Sequence, residues 1–111
     1  MQVQVEDIDE MNLLGLFMKA ALEDRVHAVE SAGLNGDIAL SAGEMSVTMS
    51  FSPERVVIRK GMERPRAHLK GSLEDVIALG RGKVASRVLT GRVRVSGNPV
   101  AALPLAKVFR S

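Results

Sequence analysis

The chain has 111 residues, a length that suits one domain with one hydrophobic core. Apolar residues make up 46% of it, which favours a globular protein. They never form a run of 18 or more, so we expect no membrane-spanning helix. Cysteine is absent, which excludes disulfides and thiol nucleophiles, and the acidic N-terminal sequence does not resemble a signal peptide. We therefore expect one cytoplasmic domain over residues 1–111.

The charges are unevenly distributed along the chain. Residues 1–54 contain two basic and ten acidic side chains, a net charge of −8, whereas residues 55–111 contain thirteen basic and three acidic side chains, a net charge of +10. Such asymmetry between the halves of a chain suggests an interaction surface. The alternative is that the two halves neutralise each other inside the fold.

The first predicted element is one amphipathic helix over residues 7–30. Asp7 or Asp9 is its predicted N-cap, because acidic side chains are favoured at the start of a helix. Gly33 and the Asn-Gly pair that follows are expected to end the helix and start a turn. Its apolar residues recur at spacings of three and four, at Ile8, Met11, Leu14, Met18, Leu22, Val26 and Val29.

Alternation of apolar and polar residues then predicts five strands. They cover residues 37–40, 45–51, 55–59, 66–70 and 92–95. Each strand has one apolar and one polar side, so the predicted fold class is α+β, a five-stranded mostly antiparallel sheet with helices packed on one face. Basic side chains and one histidine collect on the polar side: Arg55, Arg59, Arg66, His68, Lys70, Arg92 and Arg94.

Two further helices and a short helical segment are predicted around the last strand. Ser72 is the predicted N-cap of a helix that ends at the glycines near residue 80, and Asp75 completes a shortened capping box. A short helical segment is expected over residues 84–90. Asn98 and the proline after it open a final helix, which Pro104 is expected to bend or end early.

The region from Ser72 to Asn98 resembles the sterol carrier protein type 2 family. It combines the helix sequence SLEDVIAL, a Gly-Lys pair at Gly82, and the glycine-flanked basic strand GRVRVSGN. The order of elements over residues 7–109 is also similar, although the segment before Gly91 is shorter than is usual in the family. The resemblance implies a sheet and helices that enclose an apolar tunnel. It also implies non-enzymatic binding or transfer of a sterol, fatty acid or acyl-CoA.

In that family the apolar residues of the inner sheet face and helices would contact the ligand. Here they are Leu14, Phe17, Met18, Met49, Phe51, Ile58, Val76, Ile77, Leu89, Val95 and Leu103. They form either a ligand-binding lining or an ordinary core, and six methionines favour an adaptable apolar site. An alternative function on the same fold is an accessory or interaction module. It would assist a partner enzyme acting on an apolar intermediate such as a quinone precursor.

The basic face has three interpretations: contact with an anionic membrane surface, binding of nucleic acid, or simple solvation. We expect no nucleic-acid partner, because the chain has no Trp or Tyr for base stacking and no recognisable binding motif. Exposed strand edges allow a homodimer.

Candidate catalytic and metal-binding residues are few. The serines at 41, 46 and 50 lack the context of a nucleophile elbow, and His27 and His68 lack a nearby acidic pattern. We therefore predict no catalytic residues, no metal and no cofactor, and a protein that is not an enzyme.

Overall fold

A six-stranded mixed sheet forms the centre of the fold. The computed structural model describes residues 1–81 and 91–109. The strands are β1 (Gln2–Val5), β2 (Gly36–Ala42), β3 (Met45–Phe51), β4 (Arg55–Lys60), β5 (Ala67–Gly71) and β6 (Arg94–Gly97). Their spatial order is β1-β4-β3-β2-β5-β6, and the β1–β4 and β2–β5 pairs are parallel while the other three are antiparallel.

The predicted α+β class is confirmed, with six strands in place of five. The additional strand is β1, whose alternating Gln and Val residues pair with β4. The last strand begins two residues later than predicted, because Arg94 pairs with Lys70 and Gly97 pairs with Ala67.

The described helices are a 3₁₀ turn (Ile8–Glu10), α1 (Leu13–Glu23), α2 (Val26–Ala32), α3 (Leu73–Gly80) and α4 (Pro99–Val108). The prediction of one helix over residues 7–30 is wrong, because the backbone leaves the helical region at Arg25. This break lets α1 pack on the sheet while α2 packs on α4, where Val29 is buried. The helical segment predicted over residues 84–90 lies outside the described residues.

The N-cap of α1 is Asn12, so the prediction of Asp7 or Asp9 is wrong. The Asn12 side-chain oxygen accepts a hydrogen bond from Gly15 N at 2.9 Å, and its Nδ2 donates to Ser46 O at 3.2 Å. Asp7 instead has a left-handed backbone and makes no capping bond. A neutral amide is preferred here because it can both cap the helix and donate to β3, whereas a carboxylate only accepts.

The caps predicted for the last two helices are confirmed. Ser72 Oγ accepts a hydrogen bond from Asp75 N at 3.2 Å, and its hydroxyl donates to Asp75 Oδ2 at 2.8 Å. At the start of α4, Asn98 Oδ1 accepts from Val100 N at 3.0 Å, and Pro99 occupies the first turn. Both helices therefore begin at the residue whose side chain caps the first turn.

Pro104 does not end α4 early, although an early end was one of the two outcomes predicted for it. The helix continues to Val108. Leu105 and Val108 are both buried in the core, and α4 packs against α2 and β5. This packing holds the second half of the helix in place although the proline removes one backbone hydrogen bond.

The hydrophobic core lies between the helices and one face of the sheet, which we call the inner face. Across this face Met49 stands opposite Ile38 on β2 and opposite Ile58 on β4. Helix α1 contributes Leu14, Met18 and Leu22 to the same cluster. Within the described residues, no helix is both long and apolar enough to span a bilayer.

The connection between β4 and β5, residues 61–66, crosses the opposite side of the sheet, which we call the outer face. The two strands it joins are separated by β3 and β2. The Thr48 hydroxyl donates to Gly61 O at 2.9 Å and accepts from Glu63 N at 3.1 Å. Because Thr48 alternates with core residues on β3, these bonds place the crossover segment on the outer face.

Candidate functional site

Most of the predicted apolar lining lies in one place, between the inner face and the helices. Six of its residues belong to a continuous buried cluster, and two more, Phe17 and Val95, are partly buried and pack against it. The six buried residues are Leu14, Met18, Met49, Phe51, Ile58 and Val76. The fold therefore brings distant parts of the chain into a single apolar interior.

Three residues of the predicted lining have other positions. Ile77 lies on α3 and is half-buried. Leu103 lies on the outward side of α4 and is 58% exposed, whereas Leu89 is outside the described residues. Ile77 therefore shares with Phe17 and Val95 an intermediate position between the interior and the solvent.

Sulfur-containing side chains contribute strongly to this interior. Met11, Met18 and Met49 are all buried in it. Methionine is flexible and polarisable, so it repacks around ligands of different shape more readily than a branched side chain does. An interior rich in methionine has the physical properties that an adaptable apolar site needs.

A small cleft lies elsewhere, where β4 and the crossover segment meet the 3₁₀ turn. Its volume is about 150 Å³, and its lining residues are charged: Glu6, Asp7, Glu10, Arg59, Lys60 and Glu63. Pockets for drug-sized ligands are mostly apolar and have volumes of roughly 300–1,000 Å³. This cleft is therefore distinct from the predicted apolar lining in both place and chemistry.

The basic residues of the predicted polar face have different surroundings. Arg55, Lys70 and Arg94 are exposed, and Arg66 donates from Nη1 to Asn35 O at 3.1 Å. Arg92 lies 3.8 Å from Asp75 of α3.

Arg59 is the most enclosed of these cations. Its Nη2 lies 3.5 Å from Asp37 Oδ2, and its Nε lies 3.6 Å from Glu63 Oε2. Two carboxylates therefore neutralise it, and the crossover segment supplies one of them.

Ion pairs between the two oppositely charged halves of the sequence are few among the described side chains. Among the ion pairs between described side chains, the pair of Arg59 with Asp37 is the one that joins residues 1–54 to residues 55–111. The other pairs join residues of the same half. Several cations of the second half, among them Arg55, Lys70 and Arg94, are exposed on the surface.

A hydrogen-bonded group of polar side chains on the outer face was not expected from the sequence. Ser41 Oγ lies 2.8 Å from Ser46 Oγ and 2.7 Å from His68 Nε2. Partial burial and the nearby Lys70 ammonium both lower the pKa of His68. Only the pairing of β2 with β5 brings Ser41 and His68 together, so no local sequence signal could reveal the contact.

This Ser–His contact lacks the other parts of a hydrolytic site. Ser41 is 5% exposed, so its hydroxyl cannot reach a substrate. Over residues 1–81 and 91–109, His68 has no carboxylate hydrogen-bond partner, and no group of three or more His, Asp or Glu could hold a metal ion. The contact is therefore a structural hydrogen bond in this arrangement.

Comparisons with known proteins agree on one family and one fold. The family model described as the SCP-2 sterol transfer family matches residues 12–110. A structure described as "UbiJ-SCP2 Ubiquinone synthesis protein" has a TM-score of 0.71 and 12% identity, with 87% of this chain and 93% of that chain covered. No curated protein matched the chain.

Two further solved structures are sterol carrier proteins. Sterol Carrier Protein 2 from Yarrowia lipolytica, in its apo form, has a TM-score of 0.61 and 15% identity, with 94% of this chain and 92% of that chain covered. Palmitated SCP2L2 from Aedes aegypti has a TM-score of 0.55 and 17% identity, with 82% and 93% covered. At these identities the structures are similar to this chain in fold.

Proposed function

Because the chain belongs to the SCP-2 sterol transfer family, we propose that it binds an apolar ligand between the inner face of its sheet and the helices. Lipid binding or transfer is the general function of that family. The finer proposal is a sterol, a fatty acid or an acyl-CoA, carried in an apolar tunnel without a chemical reaction. The observation that supports it most is the meeting of eight predicted lining residues in one apolar interior.

We place ligand access between α1 and α3, which pack against each other. Phe17 on α1 and Ile77 on α3 are the half-buried members of the predicted lining on these two helices. A ligand that enters there exchanges contact with water for contact with aliphatic and thioether groups, which contributes roughly 25 cal/mol per Å² of apolar surface buried. The palmitated relative makes a fatty acid the first ligand to test.

Native mass spectrometry of the freshly purified protein tests the proposal directly, together with binding of a fluorescent fatty acid. We expect a co-purified lipid mass or saturable binding. Phe17→Ala and Ile77→Ala should each weaken binding about tenfold, since each removes roughly 1.4 kcal/mol of apolar contact. Leu16→Ala, a change on the exposed side of α1, is the matched control. A clean apo mass with no fatty-acid binding would contradict the proposal.

The second candidate function is an accessory module for a partner enzyme that acts on an apolar intermediate such as a quinone precursor. The observation that favours it is the likeness in fold to a protein described as a ubiquinone synthesis protein. A pull-down with the full chain distinguishes the two functions. Recovery of one stable partner and no lipid supports the accessory module, whereas recovery of lipid without a partner supports the carrier.

We also propose that the basic outer side contacts an anionic membrane surface during loading or release of the ligand. Each Lys or Arg near such a surface contributes about 1 kcal/mol. Combined charge reversal at Lys70, Arg92 and Arg94 should weaken binding to anionic vesicles, and added salt should do the same. Unchanged vesicle binding under both treatments would show that this side is only solvated. A cytoplasmic location and a homodimer stay predictions from the sequence.

A further inference from the structure

Two cations face each other across the strand pair at one end of the sheet. Lys70 of β5 and Arg94 of β6 are directly opposite in the antiparallel register, and both are exposed. Like charges at directly opposite positions destabilise a sheet unless something of opposite charge lies between them. An anion bound between the two cations would relieve this repulsion.

No acidic side chain supplies this negative charge within the part of the chain that the structure describes. Asp37 and Glu63 are both engaged by Arg59. Glu44, in the turn between β2 and β3, forms no ion pair with either cation. Neither Lys70 nor Arg94 forms an ion pair there.

Two serine side chains on the next two strands lie in line with these cations and complete a row of four residues across the sheet. Ser41 is opposite Lys70 in the parallel register of β2 and β5, and Ser46 is opposite Ser41. The 2.8 Å contact between the two hydroxyls and the 2.7 Å contact of Ser41 with His68 hold this end of the row in place. Ser46 is half-buried, so its hydroxyl remains within reach of a surface ligand.

We propose that the row formed by Ser46, Ser41, Lys70 and Arg94 is a phosphate site, in which Ser46, Lys70 and Arg94 contact the phosphate and the buried Ser41 does not. Arg94 provides a planar fork of N–H donors that suits two phosphate oxygens, and Lys70 adds a second positive charge. Ser46 supplies a neutral donor at the edge of the row, while Ser41 orients it. The phosphate belongs either to a phospholipid headgroup or to a soluble phosphate ester. The phosphate site uses Lys70 and Arg94, two of the three cations of the membrane proposal. It does not depend on membrane binding.

Inorganic phosphate alone is the first probe, added to the full chain at constant ionic strength and followed by NMR. We expect saturable shifts at the amides of Ser46, Lys70 and Arg94, and a rise in the pKa of His68 as the anion offsets the charge of Lys70. The double variant K70Q/R94Q should lose at least tenfold in affinity, and S46A should lose less. Phosphate should raise the melting temperature of the wild-type chain but not that of K70Q/R94Q.

The matched control is R55Q, which removes an exposed arginine from β4, three strands away from β5. It lowers the net charge but leaves the row intact, so phosphate affinity should change less than twofold. Shifts that do not saturate, or an equal loss in R55Q and in a single K70Q variant, would overturn the proposal. K70Q/R94Q removes a like-charge pair from the surface, so its melting temperature without phosphate should not fall.

Vesicles then identify the source of the phosphate. Phosphatidic acid presents a phosphomonoester, and phosphatidylglycerol presents a phosphodiester of lower charge, so the two are compared at equal surface charge. A loss by K70Q/R94Q on phosphatidic acid vesicles that inorganic phosphate reproduces by competition supports a headgroup site. Binding of inorganic phosphate with no effect of the variant on either vesicle supports a soluble ester. No phosphate effect in either arm contradicts the site.

Discussion

Both faces of the sheet contain fully buried side chains, but different contacts bury them. On the inner face Val47 and Met49 are fully buried under apolar side chains of the core. Thr48, which lies between them in sequence and points to the outer face, is also fully buried. The crossover segment, residues 61–66, covers Thr48 and forms hydrogen bonds with its hydroxyl.

This difference shows that burial and hydrophobicity are separate properties of a strand. Apolar packing on the inner face is non-directional and tolerates rearrangement, which suits a site for a variable apolar ligand. The outer face depends on directional hydrogen bonds, and each buried group that loses its partner costs free energy. The inner face is therefore suited to adapt to a ligand, whereas the outer face is suited to hold a fixed shape.

The largest effect is expected from a cavity under the inner face. Leu14→Ala should lower the free energy of unfolding by about 2–5 kcal/mol, because Leu14 is completely buried and α1 remains tied to the sheet around the cavity. Urea unfolding measures the change. Leu13→Ala, at the adjacent and 64% exposed position, should change stability by at most about 0.5 kcal/mol. Equal losses in the two variants would contradict the assignment of Leu14 to the buried side of α1 and of Leu13 to its exposed side.

A smaller effect is expected where hydrogen bonds replace packing. Thr48→Val keeps the shape of the side chain but leaves Gly61 O and Glu63 N without their partner. The free energy of unfolding should fall by about 1–3 kcal/mol, and amide exchange should increase over residues 61–66. Thr48→Ser keeps the hydroxyl and should preserve the protection of the segment. If Thr48→Val matched the wild type, the crossover would be held by other contacts.

The third prediction tests the link between α1 and β3. Asn12→Ala should lower the free energy of unfolding by about 1 kcal/mol, through loss of the N-cap and of the bond to Ser46 O. Asp9→Ala should have little effect, because Asp9 does not cap α1. Urea unfolding of both variants checks the difference. If Asp9→Ala lowered the free energy of unfolding more than Asn12→Ala does, Asn12 would not be the N-cap of α1.

The smallest effect concerns the titration of His68. Burial is the larger cause of its lowered pKa, and Lys70 is the second. The unfolded chain therefore binds the proton more readily than the folded chain, so stability is retained above the ordinary pKa of 6.5 and falls as the pH drops below it through the folded-state value. Lys70→Gln should raise the pKa of His68 only part of the way to 6.5.

NMR titration of the His68 ring measures that shift. His68→Asn should also flatten the dependence of stability on pH below 6.5, because it removes the titrating group. Arg55→Gln serves as the charge-matched control and should leave the pKa of His68 unchanged. If it raised that pKa as much as Lys70→Gln, the effect would come from the net charge and not from the neighbour.

Local patterns predicted some elements well and others poorly. Ser72 and Asn98 cap the helices expected of them, because a cap depends on residues two or three positions away. The break at Arg25 was not predicted and the continuation of α4 through Pro104 was not decided by the sequence, because both depend on packing between helices distant in sequence. Among the predicted site residues, Met49 and Ile58 share the interior, whereas Leu103 has the right periodicity and yet faces the solvent.

Periodicity was enough to predict the α+β class and the two-sided character of the strands. Membership of the SCP-2 sterol transfer family was also accessible without coordinates, through the resemblance of its motifs and the family match over residues 12–110. The tertiary structure decided which strands are neighbours. It therefore decided that Lys70 meets Arg94, that Ser41 meets His68, and that the crossover segment covers Thr48. The physical reason is that register and crossover arise from contacts between distant residues, which no local pattern encodes.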